Sequence, residues 1–133
     1  MFFPIEKIYG DNLSPRLDND DIVVLIKQPS YNRGDLVCLS VGEFSLCKRV
    51  VGVPGDYIDF KDDNKLYVND QEVNEWYLID NKAGEYENIY PYQVPDECYF
   101  VLSDKRSVMS DSRTAVVGTI KNTSVIGKVL FRI

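Results

Sequence analysis

Short runs of β-branched and aromatic residues, each closed off by turn residues, dominate this chain, and that alternation constrains its fold more than any other feature. Ile22 to Ile26 is a continuous apolar run of strand length, which predicts a strand buried on both faces. Asp35 to Ser40 follows a polar turn holding Asn32-Arg33-Gly34. Phe44 to Val51, Tyr57 to Lys61 and Leu66 to Val68 come next. Late in the chain lie Cys98 to Leu102, Val116 to Ile120 and Gly127 to Arg132. The punctuation is Val53-Pro54-Gly55-Asp56, Asp62-Asp63-Asn64 and Val94-Pro95-Asp96. No window keeps a 3.6-residue apolar period over three turns. The pattern predicts a mainly β chain, of coiled antiparallel sheets or a partly open barrel.

A length of 133 residues suits one domain with a real core. The strand runs predict a core of about 8–68 and 98–133. Between them, about 69–97, Trp76, Tyr77, Tyr86, Tyr90 and Tyr92 alternate with acids and asparagines. That stretch reads as an inserted excursion or small sub-sheet, or as a solvated loop pinned to the body by its aromatics.

Composition removes whole classes of chemistry. The net charge is −6, with no run of Lys or Arg, so no nucleic-acid partner is expected. The absence of histidine excludes a Ser-His-Asp triad, a Cys-His dyad and His-based metal sites. Neither a metal nor another cofactor is expected. Cys38, Cys47 and Cys98 are an odd number without CxxC spacing; Cys38 and Cys47 sit in apolar strand patterns and read as free, buried, small hydrophobes. On that reading they leave the redox compartment open. No segment approaches the ~20 apolar residues of a membrane-spanning helix, and no signal peptide opens the chain. Met1-Phe2-Phe3-Pro4 reads as the stub of an upstream segment or as a shortened terminus.

Three polar segments stand out. Gly10-Asp11-Asn12-Leu13-Ser14-Pro15 is, taken alone, turn chemistry. Lys48 alternates with Leu46 and Val50, which puts an amine on an apolar strand face. There it must snorkel to water or lose its proton, and a neutral amine is a general base. The bland alternative is a solvated edge lysine. Leu102 to Arg113 reads as a strand end and a polar hairpin tip, where an exposed Asp111–Arg113 contact would stabilise little.

In this order, the segments resemble the catalytic domain of the type I signal peptidases, membrane-bound serine proteases with a Ser-Lys dyad. The family's Ser-Met-x-Pro aligns with Asn12-Leu13-Ser14-Pro15, and its Arg-Gly-Asp strand with Arg33-Gly34-Asp35-Leu36-Val37. Its Lys-Arg-Val-x-Gly-x-Pro-Gly-Asp block is complete from Lys48 to Asp56, and Leu66-Tyr67-Val68-Asn69 follows. Its last motif is represented by Ser103-Asp104-Lys105-Arg106 and Asp111-Ser112-Arg113, and its closing strand by Ile126 to Arg132. The resemblance runs from Tyr9 onward. It implies the coiled sheets of that catalytic core and Lys48 as the general base. Asn12 falls at the nucleophile position, with Asp11, Leu13, Ser14 and Pro15 around the substrate and oxyanion region. Ser103, Asp104, Arg106, Met109, Asp111 and Arg113 would support the site. Apolar pockets for small side chains and an extended substrate against strand edges are implied too.

The same resemblance implies a place on the extracytoplasmic face of a bacterial cell membrane, a tether through an N-terminal helix not present in the chain, and a signal peptide, exported protein or pilin as partner. Non-catalytic relatives serve as pilus assembly factors. Asn12 departs from the pattern at its most consequential point, because an amide cannot form an acyl-enzyme. Ser14 lies two residues on, displaced by about 6–7 Å at strand rise. Met109 stands where the family has a hydroxyl that positions the lysine, Ser103 where it has glycine, and Arg16 near the expected groove. The expectation is therefore a domain that binds signal peptides or exported proteins and is hydrolytically inactive or severely impaired. The alternative is an active signal peptidase whose nucleophile has been replaced by Asn12. A self-cleaving repressor domain fits less well, given Asp111-Ser112-Arg113 and the 69–93 stretch. A plain β interaction module would leave Lys48 merely structural.

Overall fold

The computed structural model describes residues 3–10, 13, 16–82 and 86–133, with the Phe44 side chain excepted. Among these residues there are eleven strands, one 3-10 turn at Asn122–Ser124 and no α-helix. The strands are β1 Ile5–Lys7, β2 Ile22–Ile26, β3 Leu36–Val41, β4 Phe44–Gly52, β5 Tyr57–Lys61, β6 Lys65–Val68, β7 Gln71–Glu72, β8 Tyr92–Gln93, β9 Cys98–Leu102, β10 Ile120–Lys121 and β11 Val125–Arg132. They form two antiparallel sheets: β1-β2-β11-β3-β4-β9-β10 and β7-β6-β5-β8. The mainly β, antiparallel reading holds.

The Val53-Pro54-Gly55-Asp56 turn carries the chain from the larger sheet to the smaller one. Gly55 supplies the positive φ of 88° the turn requires. Gly52 is demanded by packing: a Cβ there would sit 2.6 Å from Ile58 Cδ1. Around that contact Val51, Ile58, Leu66, Val68, Val94, Phe100 and Leu102 form a core shared by both sheets. Each fully buried Leu, Ile or Phe contributes roughly 1.5–3 kcal/mol. A second cluster, with Val37, Leu39, Val50, Val101 and Val125, packs within the larger sheet. A third joins Ile8, Leu13 and Leu17 to Val23, Leu25, Cys38 and Cys47.

Four expectations need correction. Cys38 and Cys47 are not free: they face each other across the β3–β4 hairpin, with Cα atoms 4.0 Å apart, and are joined as a disulfide. Apolar patterning conceals such a pair, because a cross-strand disulfide is as buried as the hydrophobes around it; Cys98 alone is a free buried thiol. Strand β2 is buried on one face only, since Val23 and Leu25 are inside while Ile22 is 41% exposed. The run Val116–Ile120 is mostly turn, with Val116 at the surface, and only Ile120 enters β10. Finally, the smaller sheet begins at Tyr57, ahead of the expected excursion at 69, because β5 and β6 pair with β7 and β8. The aromatics do pin this region: Phe60 stacks on Tyr86 at 4.7 Å and meets Tyr90 edge-on at 5.2 Å.

Candidate active site

Strand alternation sends Lys48 and Arg49 to opposite faces of β4, and each finds partners in the segment that follows β9. Lys48 is 1% exposed. Its Nζ donates to Ser103 Oγ at 3.0 Å and to Ser110 Oγ at 3.4 Å. Burial pulls the amine down to about 8; the charges of Asp111 and Asp104 oppose this and that of Arg113 assists it. The lysine therefore neither snorkels nor sits on a solvated edge.

The 103–113 segment is no solvated tip. Ser103, Asp104, Arg106, Asp111, Ser112 and Arg113 are all buried. Arg113 grips Asp111 through Nε at 2.9 Å and Nη2 at 2.7 Å, while the Ser103 N–H donates to Asp111 Oδ2 at 2.9 Å. Burial alone would raise the Asp111 carboxyl, but Arg113 and these N–H donors outweigh it and hold the group below its ordinary value. Ser112 secures the segment to β9, accepting from Val101 N at 2.9 Å and donating its own N–H to Val101 O. Ser103 thus places its hydroxyl against the amine where a glycine was expected. Met109, expected to leave that hydroxyl missing, is flanked by Ser110, whose hydroxyl does reach the amine.

On the opposite face, Asp104 receives Arg49 at 3.2 and 2.7 Å and Arg16 at 2.8 Å. Arg16 is thereby fixed within an ion network rather than left as a loose charge near the groove. The Arg49 guanidinium lies 4.6 Å from the Tyr77 ring centroid and 5.3 Å from that of Trp76. Arg106 pairs with Glu75 through both guanidinium nitrogens; both residues are nearly buried. Arg33 and Asp56, from two separated sequence blocks, meet at 2.5 and 2.7 Å and fix the Pro-Gly turn.

Of the residues expected around the substrate and oxyanion region, Leu13 is fully buried with Ile8 and Leu17, so its side chain belongs to the core. Asp11, Asn12, Ser14 and Pro15 lie outside the described residues. Sequence reasoning missed Ser110, Glu75 and Trp76. Ser110 adjoins the Asp-Ser-Arg triplet, which was the available signal. The other two depend on contacts across tens of residues.

Next to the lysine, β4 changes character. Strand β3 pairs along its whole length, whereas β9 begins its register only at Arg49. Among the described residues, no strand pairs with Phe44–Lys48 on that side. A hollow of about 610 Å³, lined by Glu6, Tyr9, Glu43, Ser45 and Leu46, lies beside this half of the strand.

Two antiparallel sheets, the larger carrying a buried amine of lowered basicity beside a half-paired strand, define a mainly β protein with one lysine set apart from solvent. The signal peptidase, peptidase S26 family matches residues 1–133. The chain is 34% identical to signal peptidase I S of Bacillus subtilis (strain 168) over 119 aligned residues, 80% of this chain and 64% of that protein. It is 29% identical to a signal peptidase I of Streptococcus pneumoniae serotype 4, covering 100% of this chain and 83% of that one. The crystal structure of a signal peptidase I from Enterococcus faecalis V583 superposes with a TM-score of 0.64 at 30% identity, over 77% of this chain and 97% of that one. The chain belongs to the signal peptidase, peptidase S26 family. It spans about two thirds of the length of the Bacillus subtilis relative, 64%.

Proposed function

We propose that this chain is a type I signal peptidase-like domain that holds signal peptides, or the leading segments of exported proteins, along β4, and that its hydrolytic step through residue 12 is lost. The half-paired β4 ending at buried Lys48 carries the reading. A bound segment would add to that edge, backbone hydrogen bonds giving affinity and the Glu6–Leu46 hollow accepting side chains. Lys48 would take the general-base role, with about one amine in ten neutral at pH 7 for a group titrating near 8. Asn12, aligned with the family's nucleophile by sequence alone, offers an amide that is a very poor nucleophile. The reading includes the outer face of a bacterial membrane, a preceding membrane helix and a holding role toward pilins or other exported proteins, all drawn from the family.

The test is fluorescence anisotropy with a labelled signal peptide bearing alanine at −1 and −3. Saturable binding is expected, weakened about tenfold or more by Ser45→Pro, which removes an edge N–H. Binding that is absent, or indifferent to that substitution, would refute the reading.

A second reading is an active type I signal peptidase whose nucleophile has been replaced by Asn12. It is favoured by the intact setting of Lys48 against Ser103 and Ser110. On that reading Asn12→Ser raises cleavage of the same peptide by several orders of magnitude, since losing such a nucleophile costs roughly a millionfold in a well-studied serine protease. An unchanged rate in the folded variant would leave the holding function alone.

A further inference from the structure

We propose that Ser110 and Lys48 form a second nucleophile–base pair, able to accept an acyl group from an activated ester even though residue 12 is asparagine. A workable pair needs an exposed nucleophile, a base behind it within hydrogen-bond reach, and a third group that orients the base. Three side chains meet those needs in order. Ser110 is exposed, and its Oγ lies 3.4 Å from Lys48 Nζ. Lys48 is buried. Ser103, which no solvent reaches, holds the same amine at 3.0 Å from the inner side. Ser103 cannot meet a substrate and is a positioning residue; Ser110 can. The backbone that carries Ser110 is held next to it by the Asp111–Arg113 pair and by Ser112 on β9.

The inference shares with the proposed function the role of Lys48 as base but does not depend on peptide binding. In the step, the neutral Lys48 amine takes the Ser110 hydroxyl proton as Oγ bonds to the ester carbonyl carbon. The carbon–oxygen bond to the leaving group then breaks, and an aryloxide departs with its electron pair. After the amine has released the serine proton to solvent, water attacks the acyl carbon and gives a proton to Lys48. The bond from that carbon to Ser110 Oγ breaks, Lys48 returns the proton to Oγ, and N-acetyl-alanine leaves as its carboxylate. An aryl ester leaves unaided; an amide nitrogen must be protonated as it leaves. The activity therefore belongs to reactive esters and not to ordinary peptide bonds.

The experiment uses the p-nitrophenyl ester of N-acetyl-alanine, with stopped-flow release of nitrophenolate and peptide mapping of the acylated protein. A burst is expected, with the acyl group on Ser110. The burst should vanish in Ser110→Ala, which alters an exposed residue and should fold normally, and should slow about a hundredfold in Lys48→Met. Its rate should rise with pH through about 8, where Lys48 titrates under the charges of Asp111, Arg113 and Asp104. An acyl group found on Ser14, on Lys48 itself or elsewhere, or no burst above free-solution hydrolysis, would overturn the proposal. Saturable peptide binding alongside either result would leave the holding function standing.

Discussion

At the residue scale, Lys48 is the most consequential single group, and its burial ties stability to pH. Its amine titrates at about 8 against an ordinary 10.5, so the folded state resists carrying the charge. The unfolded chain binds more protons between these values, and stability therefore rises as pH climbs from about 8 to 10.5. Below pH 8 the strain is fully present and amounts to roughly 3 kcal/mol before the serine contacts are credited. Lys48→Met is expected to stabilise the fold by about 1–3 kcal/mol at pH 6, with the gain shrinking toward pH 10.5; urea midpoints at the two pH values check this. Asp111 behaves oppositely. Its carboxyl is held below the usual 3.8, so its contribution is complete above that value and is lost as pH falls through the folded-state one. Asp111→Asn leaves Arg113 buried without its counter-charge. It should cost about 3–5 kcal/mol at neutral pH and flatten the acid limb of a stability–pH curve.

At the scale of elements, the β3–β4 hairpin shows both what patterning reveals and what it hides. Alternation around Lys48 was legible because a strand allows only two faces, and Leu46 and Val50 identify the apolar one. The turn residues at Asp62-Asp63-Asn64 and Pro54-Gly55 likewise marked strand ends, since the positive φ of Asp62, Asp63, Asn64 and Gly55 suits few other residues and proline presets the turn before Gly55. The register that sets Cys38 against Cys47 was hidden, because a one-residue slip leaves each strand's own pattern unchanged. For the same reason the pairing of β5 with β8 and of β6 with β7 could not be read. The site was legible only where a motif was contiguous: Lys48 stood out, whereas Glu75 needs Arg106 across the fold. The disulfide closes a sequence separation of 9 and should stabilise the chain by about 2–3 kcal/mol on loop entropy. Replacing both cysteines by alanine should lower the urea midpoint accordingly, and dithiothreitol should then have no further effect on the variant.

For the whole molecule, the two sheets are held together by apolar packing and by charges that span distant parts of the chain. Arg16, Arg49 and Asp104 join the segment before β2, the middle of β4 and the segment after β9; Glu75 and Arg106 join the stretch after β7 to the same loop. Arg49–Asp104 and Arg106–Glu75 are buried, so removing one partner of either exposes the full cost of the other, whereas Arg16 reaches Asp104 from the surface. Glu75→Gln strands the Arg106 charge. It should destabilise by about 3 kcal/mol, and limited proteolysis between 70 and 92 should quicken before global unfolding if the smaller sheet loosens first.

The half-paired β4 makes amide exchange a direct reporter of occupancy. Deuterium should enter at Ser45 and Cys47, whose N–H groups alternate onto the open edge, far faster than at Val50, whose N–H donates to Asp35 O at 2.8 Å. A ligand that completes the row would slow those few positions selectively and leave the turn at Pro54-Gly55 untouched. One strand then carries its own internal reference, and a mass spectrometer can distinguish filling of the edge from general tightening of the fold.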